Sequence, residues 1–481
     1  MFGSFNKWFN KPRTNQLGFL IIFFFFLIYL TLSLVTHFHF LSGYDLAIVN
    51  QYVYEWSHFK IPVSTVSAYP FLPFYTDHIE LIFMLLSPFY WIYPNAVTLL
   101  VLQAFFMALS GIAVLFLCQR YKINSFLTLS ILTSYLSFYG IQFAVYYDAH
   151  SLVFGAAFLA FFIYFLDKNS RWSILFFLLA VTSKEDIALL TLLLSFIVFA
   201  VKRTKLSFYF MLGSVLYLIM IFMVIFPHLA QGFGAQKQKN INFDPRNFVN
   251  TGTKIEVIGY SLGWFGLLPL FLPLYLIPFL GDLFHYFVLG EAVSTAQGFY
   301  YHYRVTIAIL LTYPTILVIS KSKILNRRYT GLYLLLCALL FTYLIHAPFT
   351  YLAKKWFWTK PRSAGEITKV LAYLPNNASV VAQNNITSHI SNRMNVFTLW
   401  PDKRTFKTGS PCQKPVCDWF KWSGNPQYLV VDTSTAWDAR FFLTDRQSFI
   451  LGLDNMEKEG IIKKYVQADT SVLYKIQKPP Y

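Results

Sequence analysis

LLAVTSKEDIALLTLL, residues 178–193, sets a lysine and two carboxylates, Lys184, Glu185 and Asp186, inside an otherwise apolar run. A charged side chain at the bilayer centre costs about 2.5–3.5 kcal/mol on insertion scales, so such a cluster needs either water or a function. Basic residues flank the run on both sides: Arg171 before it, Lys202 and Arg203 after it. The cluster splits the intervening chain into apolar halves of roughly 12 and 15 residues, each short of the roughly 20 a full crossing needs. Two arrangements satisfy this: a helical hairpin with a charged tip, or one span dipping into a wet cavity.

The chain around this stretch is that of a membrane protein. Of 481 residues, 56% are hydrophobic, 20% aromatic and 13% charged, and the mean hydropathy is +0.49. Soluble domains carry about 25% charge. LGFLIIFFFFLIYLTLSLV follows Lys7, Lys11 and Arg13 and lacks a small-residue cleavage site, which describes an uncleaved signal anchor with a cytoplasmic N-terminus. The net charge of +17 points to topology rather than to nucleic acid. Arg120 and Lys122, Lys168 and Arg171, Lys202 to Lys205, and Lys321 to Arg328 fall in alternate loops, the positive-inside pattern.

Spans are expected near 17–36, 97–118, 124–145, 152–166, 206–227, 305–319 and 330–348. The segment 79–94 must begin and end on one side and is re-entrant or interfacial; the Pro-rich 259–289 is too irregular for a single helix. After Asp45, Leu46, Val49, Val53 and Trp56 recur at helical spacing, the pattern of a helix lying in the interface. From about residue 353 the composition becomes that of ordinary soluble chain. RSAGEITKVLAYLP reads as an amphipathic helix, and ASVVAQ, NVFTLW and PQYLVVDTS read as buried strands. The fold class is therefore an α-helical polytopic membrane protein with re-entrant or broken helices, residues 1–352, including a first outer loop at 37–78. A small extracytoplasmic α/β domain, residues 353–481, follows it.

With this topology, Asp45, Asp77 and His78, Asp148 and His150, Lys184 to Asp186, and His302 and Arg304 collect at the outer boundary, where one wet pocket could gather them. Simpler roles stand beside that one. Asp45, Asp148 and Ser183 each precede a helical run and suit an N-cap, Glu185 and Asp186 suit a helix dipole, and the three histidines suit structural hydrogen bonds. Capping, however, requires neither a lysine nor two acids at membrane depth. Cys118 and Cys337 lie in apolar spans; Cys412 and Cys417, in SPCQKPVCDWF, suit a disulfide, two thiols or a metal pair.

GYDLAIVNQYVYEWSH, DHIELIFMLLSPFYWIYPNAVTLLVLQAF, YYDAHSLVFGAAFLAFFIYF, TSKEDIALL, YYHYRVTIAILL and the tail's LPNNASVVAQNNITSHISNRMNVFTLWP resemble DUF2079, a family of multi-pass membrane proteins. That family looks like the GT-C superfamily of glycosyltransferases, which use sugars linked to polyprenyl phosphate. The resemblance implies that Asp45 is the catalytic carboxylate. It also implies that Lys184 or Arg304 meets the departing phosphate, that Asp77, Asp148 and His150 orient the acceptor or, in members that use one, hold a divalent ion, and that Glu185, Asp186, His78 and His302 help to bind the substrate. The partners so implied are a polyprenyl-phosphate sugar and membrane lipid at the cell membrane, with no nucleic acid. Two other classes fit the pattern: a transporter or flippase for a lipid-linked or anionic substrate, and a non-catalytic membrane assembly protein.

Overall fold

Long apolar runs with strong helix formers leave the backbone one way to satisfy its hydrogen bonds in a membrane, which is the helix. The computed structural model describes residues 12–67, 71–231, 244–288, 296–399, 422, 424–434 and 446–478. Among these, Arg13–Phe38, Ala96–Arg120 and Lys205–Leu229 are long and apolar enough to cross a bilayer. The expected span at 124–145 is two helices, Ser125–Leu136 and Tyr139–Tyr146, bent by 44°. Pro227 accounts for a second irregularity. It removes a helical N–H and crowds the carbonyl four residues back, and the chain adopts a π segment at Met220–Ile225 just before it. The Pro-rich stretch is broken, as expected, into the helix Gly252–Trp264, two 3-10 turns, Leu268–Phe271 and Pro273–Leu276, and the helix Ile277–Phe287.

The chain forms two compact units, one of residues 1–33, 75–82 and 100–354, the other of 34–74, 83–99 and 355–481. In the first, helix Trp172–Val181 packs along Ser151–Asp167, and Glu185–Lys202 packs along Lys205–Ile219. Asp167 fixes their direction. Its carboxylate accepts from Arg120 Nε and Lys202 Nζ, each at 2.5 Å, and from the Tyr121 and Tyr313 hydroxyls, each at 2.6 Å. Helices Ser151–Asp167 and Glu185–Lys202 therefore end at the same pole, and Trp172–Val181 runs back from it. Of the two arrangements open to residues 171–202, the hairpin is the one formed. Its legs of 10 and 18 residues span about 15 and 27 Å at 1.5 Å per residue.

In the second unit a five-stranded sheet has the order β4-β3-β5-β7-β6. Its strands are β3 (Val380–Ala382), β4 (Val396–Thr398), β5 (Tyr428–Asp432), β6 (Ile462–Ala468) and β7 (Ser471–Ile476), while Val63–Ser64 (β1) and Leu72–Pro73 (β2) pair separately. β3 runs parallel to β4 and β5, and β7 is antiparallel to β5 and β6. The two-residue period of a strand divides the core. Val380, Ala382 and Val430 face a cluster with Ile367 and Val370 of the helix Arg362–Leu371. Val381, Leu429 and Val431 face one with Phe449 and Leu453 of the helix Arg446–Lys458. The three strands and the amphipathic helix expected in the tail are all present.

Helix Tyr44–Ser57 belongs to this second unit, and its apolar positions Leu46, Val49 and Val53 are buried within it. Polar bonds seat it too. Asn50 Nδ2 donates to Ser391 Oγ at 2.7 Å, Gln51 Nε2 to the Met394 carbonyl at 3.1 Å, and the Val63 N–H to Glu55 Oε2 at 2.7 Å. The apolar stripe read as a bilayer-facing surface is thus packed against protein.

A buried charge cluster at the tip of a helical hairpin

Thr182, Ser183 and Lys184 interrupt the apolar run, and helix Glu185–Lys202 restarts after them with two acids in its first turn. Carboxylates there meet unsatisfied N–H groups and the positive end of the helix dipole. The tip is pinned from a second segment, where the Ile82 N–H donates to the Thr182 carbonyl at 3.0 Å. That contact brings the loop 77–81 over the new helix. His78 Nδ1 lies 2.5 Å from Glu185 Oε1, and the Ile79 N–H donates to Glu185 Oε2 at 3.2 Å. The half-exposed Asp77 carboxylate stands 4.0 Å from His78 Nε2.

Asp186 turns to a third segment. Its Oδ2 accepts from the Tyr286 hydroxyl at 3.0 Å and lies 3.8 Å from His285 Nε2 and 3.7 Å from Lys184 Nζ. Burial disfavours the Lys184 charge, but Asp186 and Glu185 outweigh it and hold the ammonium above the ordinary lysine range. Glu80, also buried, accepts from Ser151 Oγ at 2.5 Å. Burial pushes its carboxyl up against the pull of His78 and Lys184.

Two further loops close the cluster. The imidazoles of His150 and His302 stack with centroids 3.6 Å apart, and His150 Nε2 and His302 Nδ1 are buried without a hydrogen-bond partner. Burial, then the positive charge of Lys184, lowers His150 to about 3. Burial and His150, followed by Lys184, hold His302 low as well. Gln103 seats the first loop, its Oε1 accepting the His150 N–H at 2.8 Å and its Nε2 donating to the Asp148 carbonyl at 3.3 Å. Arg304 is fully buried, donates Nε to the Gly298 carbonyl at 3.1 Å and lies over the Tyr286 and Phe287 rings.

Lys184, Glu185, Asp186, His78, His150 and His302, expected from the sequence, are thus gathered in the first unit, with Asp77 beside His78 and Arg304 reaching the group through Tyr286. Asp148 is buried there as well. Asp45 lies half-buried in the second unit, in the first turn of its helix. The capping roles are not the ones taken. The N-caps of the three helices are Gly43, His150 and Lys184, none with a capping side-chain bond, in place of Asp45, Asp148 and Ser183. Glu185 and Asp186 do lie in a first turn.

Residues the sequence reading passed over also belong to the group: Glu80, Ser151, Asp282, His285 and Tyr286. Asp282 accepts from Thr306 Oγ1 at 2.9 Å and keeps its other oxygen buried without a partner. The spacing of Asp282 and His285, one turn apart in an apolar helix, was the available signal. Among the described residues no group of three His, Cys, Asp or Glu side chains is disposed to hold a metal ion. Cys118 and Cys337 are free thiols, while Cys412 and Cys417 lie outside the described residues.

The arrangement is one of compensated charge in a buried setting, with a cation, imidazole nitrogens and carboxylates able to hold a polar anionic group and move a proton. No curated protein matches the chain. The family model for a predicted membrane protein, DUF2079, matches residues 36–430. Its coverage of most of the sequence, together with helices able to cross a bilayer, establishes that the chain belongs to the DUF2079 family of predicted membrane proteins.

Proposed function

We propose that this protein is a glycosyltransferase of the cell membrane that moves a sugar from a polyprenyl-phosphate carrier to an acceptor hydroxyl on the extracytoplasmic face. The observation that carries this reading is the buried Lys184 at the hairpin tip, charged and surrounded by His78, His150, His302 and carboxylates. Transfer forms the bond from the acceptor oxygen to the anomeric carbon and breaks the bond from that carbon to the phosphate oxygen. The electron pair leaves with the lipid phosphate, and the hydroxyl proton goes to a base. In this reading Lys184 stabilises the leaving phosphate, a low-dielectric setting strengthening the attraction, and Asp45 is the base. His150 and His302 orient the sugar phosphate through their unpartnered nitrogens.

The test is the full chain in lipid nanodiscs, given labelled polyprenyl-phosphate hexoses and a set of hydroxyl acceptors. Sugar transfer or hydrolysis that falls about 100-fold or more in Lys184→Gln and in Asp45→Asn is the expected result. Absence of both reactions with every donor, or full activity in Asp45→Asn, overturns it. A second reading, a transporter for an anionic or lipid-linked substrate, draws on the broken helix pair bent by 44°. Cysteines placed at 184–186 separate the two: labelling from one side favours the enzyme, labelling that alternates between sides favours transport.

A further inference from the structure

The connections 120–125 and 321–329 meet at the ends of two packed helices, Ser125–Leu136 and Arg328–Leu344. Gly331 permits the close approach, since a Cβ there would stand 2.7 Å from Ser130 Oγ. Asn326 ties the connections together, its Oδ1 accepting the Asn124 N–H at 3.0 Å and its Nδ2 donating to the Lys122 carbonyl at 3.3 Å. Beside this junction opens a cavity of about 490 Å³ lined by Asn124, Phe126, Asn326, Arg327, Arg328 and Tyr329.

Two properties mark what the cavity takes. The first is charge. Lys122, Lys321, Lys323, Arg327 and Arg328 lie in these connections without an Asp or Glu between them, and among the described residues none of the five forms an ion pair. Arg120, at the start of the first connection, is turned away to Asp167. The second is apolar surface that starts at the cavity itself. From Tyr329, the exposed positions Leu332, Leu336, Leu339 and Tyr343 follow at intervals of three and four along the same helix, each more than half exposed. That spacing makes one continuous stripe.

We propose that this cavity binds the phosphate headgroup of an anionic phospholipid, Arg327 and Arg328 holding the phosphate while an acyl chain lies along the stripe from Tyr329 to Tyr343. Paired guanidiniums match phosphate oxygens, and basic pockets between membrane helices recognise anionic headgroups in this way. A soluble phosphate would use the arginines and leave the stripe idle, so the joined charge and apolar surface select the lipid. The site lies apart from the Lys184 cluster in its residues and does not depend on the glycosyltransferase reading.

The experiment is native mass spectrometry of the full chain in detergent, titrated with phosphatidylglycerol, with phosphatidylcholine of the same acyl chains, and with inorganic phosphate as competitor. Retention of phosphatidylglycerol over phosphatidylcholine is expected, weakened about 25-fold in Arg327→Gln/Arg328→Gln, from two contacts of about fivefold each. Arg327→Lys/Arg328→Lys, which keeps the charge and loses the planar fork, is expected to bind between wild type and the Gln variant, and a Gln variant that melts with wild type in detergent shows that its loss is not misfolding. Equal retention of both lipids, or unchanged retention in the Gln variant, overturns the proposal. Displacement of the lipid by an equal concentration of inorganic phosphate overturns it as well, and makes the cavity a soluble-anion site.

Discussion

His78 Nδ1 and Glu185 Oε1 stand 2.5 Å apart, a contact between a loop and a helix start separated by more than a hundred residues of chain. The same carboxylate takes the Ile79 N–H, so one buried side chain fixes the loop twice. Glu185→Gln keeps the shape and removes the charge that both donors meet. A loss of about 1.5–3 kcal/mol in stability is expected, the usual scale for a hydrogen bond to a charged group. Thermal unfolding in detergent measures it. Asp77→Asn, at a half-exposed position, is expected to change stability by less than about 1 kcal/mol.

Buried Lys184 and half-buried Asp186 are a pair at 3.7 Å. Removing one partner leaves the other charge without compensation, so Lys184→Met is expected to cost about 3–5 kcal/mol. Lys184→Met/Asp186→Asn then costs clearly less than the sum of the two single changes. Additivity in that double-mutant cycle would show that the two side chains do not interact.

Asp167 ties the opposite pole through Arg120, Lys202, Tyr121 and Tyr313. Both of its cations are partly exposed, which screens the attraction. Asp167→Asn is therefore expected to lower stability by about 1–3 kcal/mol, less than a sealed ion pair. Limited proteolysis at the connection 202–205 should quicken in parallel.

At Gly140 an added Cβ would stand 2.3 Å from the Arg304 carbonyl oxygen, a backbone atom with no rotamer to give way. Gly140→Ala is expected to cost about 1–3 kcal/mol from overpacking and to displace the loop that carries His302 and Arg304. Gly259→Ala is the control. Nothing lies within 4 Å of that position, and alanine there should gain up to about 1 kcal/mol of helix propensity. A Gly140→Ala protein as stable as wild type would show that the two backbones are not in contact.

Burial pushes the Glu55 carboxyl up to about 7 from an ordinary 4.5, against the Val63 N–H and Lys60. An acid whose folded pKa is raised favours the folded state in its neutral form. Its contribution is full below about pH 4.5 and is lost as the pH climbs through about 7. Glu55→Gln should thus raise the melting temperature at pH 8 by about 2–4 °C and change it little at pH 4.5. Equal effects at both pH values would contradict the raised carboxyl.

Much of this molecule could be read from order alone, for a physical reason. Runs such as residues 17–36 and 206–227 need no partner to become helices, because an apolar segment in lipid must close its own hydrogen bonds. Val380–Ala382, Val396–Thr398 and Tyr428–Asp432 are compact β-branched or aliphatic runs between turn residues, and they form strands as their composition demands. Lys184 announced itself because a helix start can use two acids and has no use for a lysine at membrane depth. Glu80, beside Asp77 and His78, and the pair Asp282 and His285, one turn apart, gave a weaker signal, because single polar residues set between apolar neighbours also suit an ordinary helix face.

Local chemistry therefore specified the helices, the interruption at 182–184 and the types of side chain that would need company. Which of them keep company was settled by packing. Glu185 could have capped its own helix, yet it meets His78 and Ile79 because Ile82 pins the loop to Thr182. Helix Tyr44–Ser57 has the composition of a surface helix and is buried, because the sheet of the second unit and the buried amides of Asn50 and Gln51 provide a better environment than lipid headgroups. A hydrogen bond or an ion pair depends on distances between segments remote in sequence, and those distances exist only once the chain has packed.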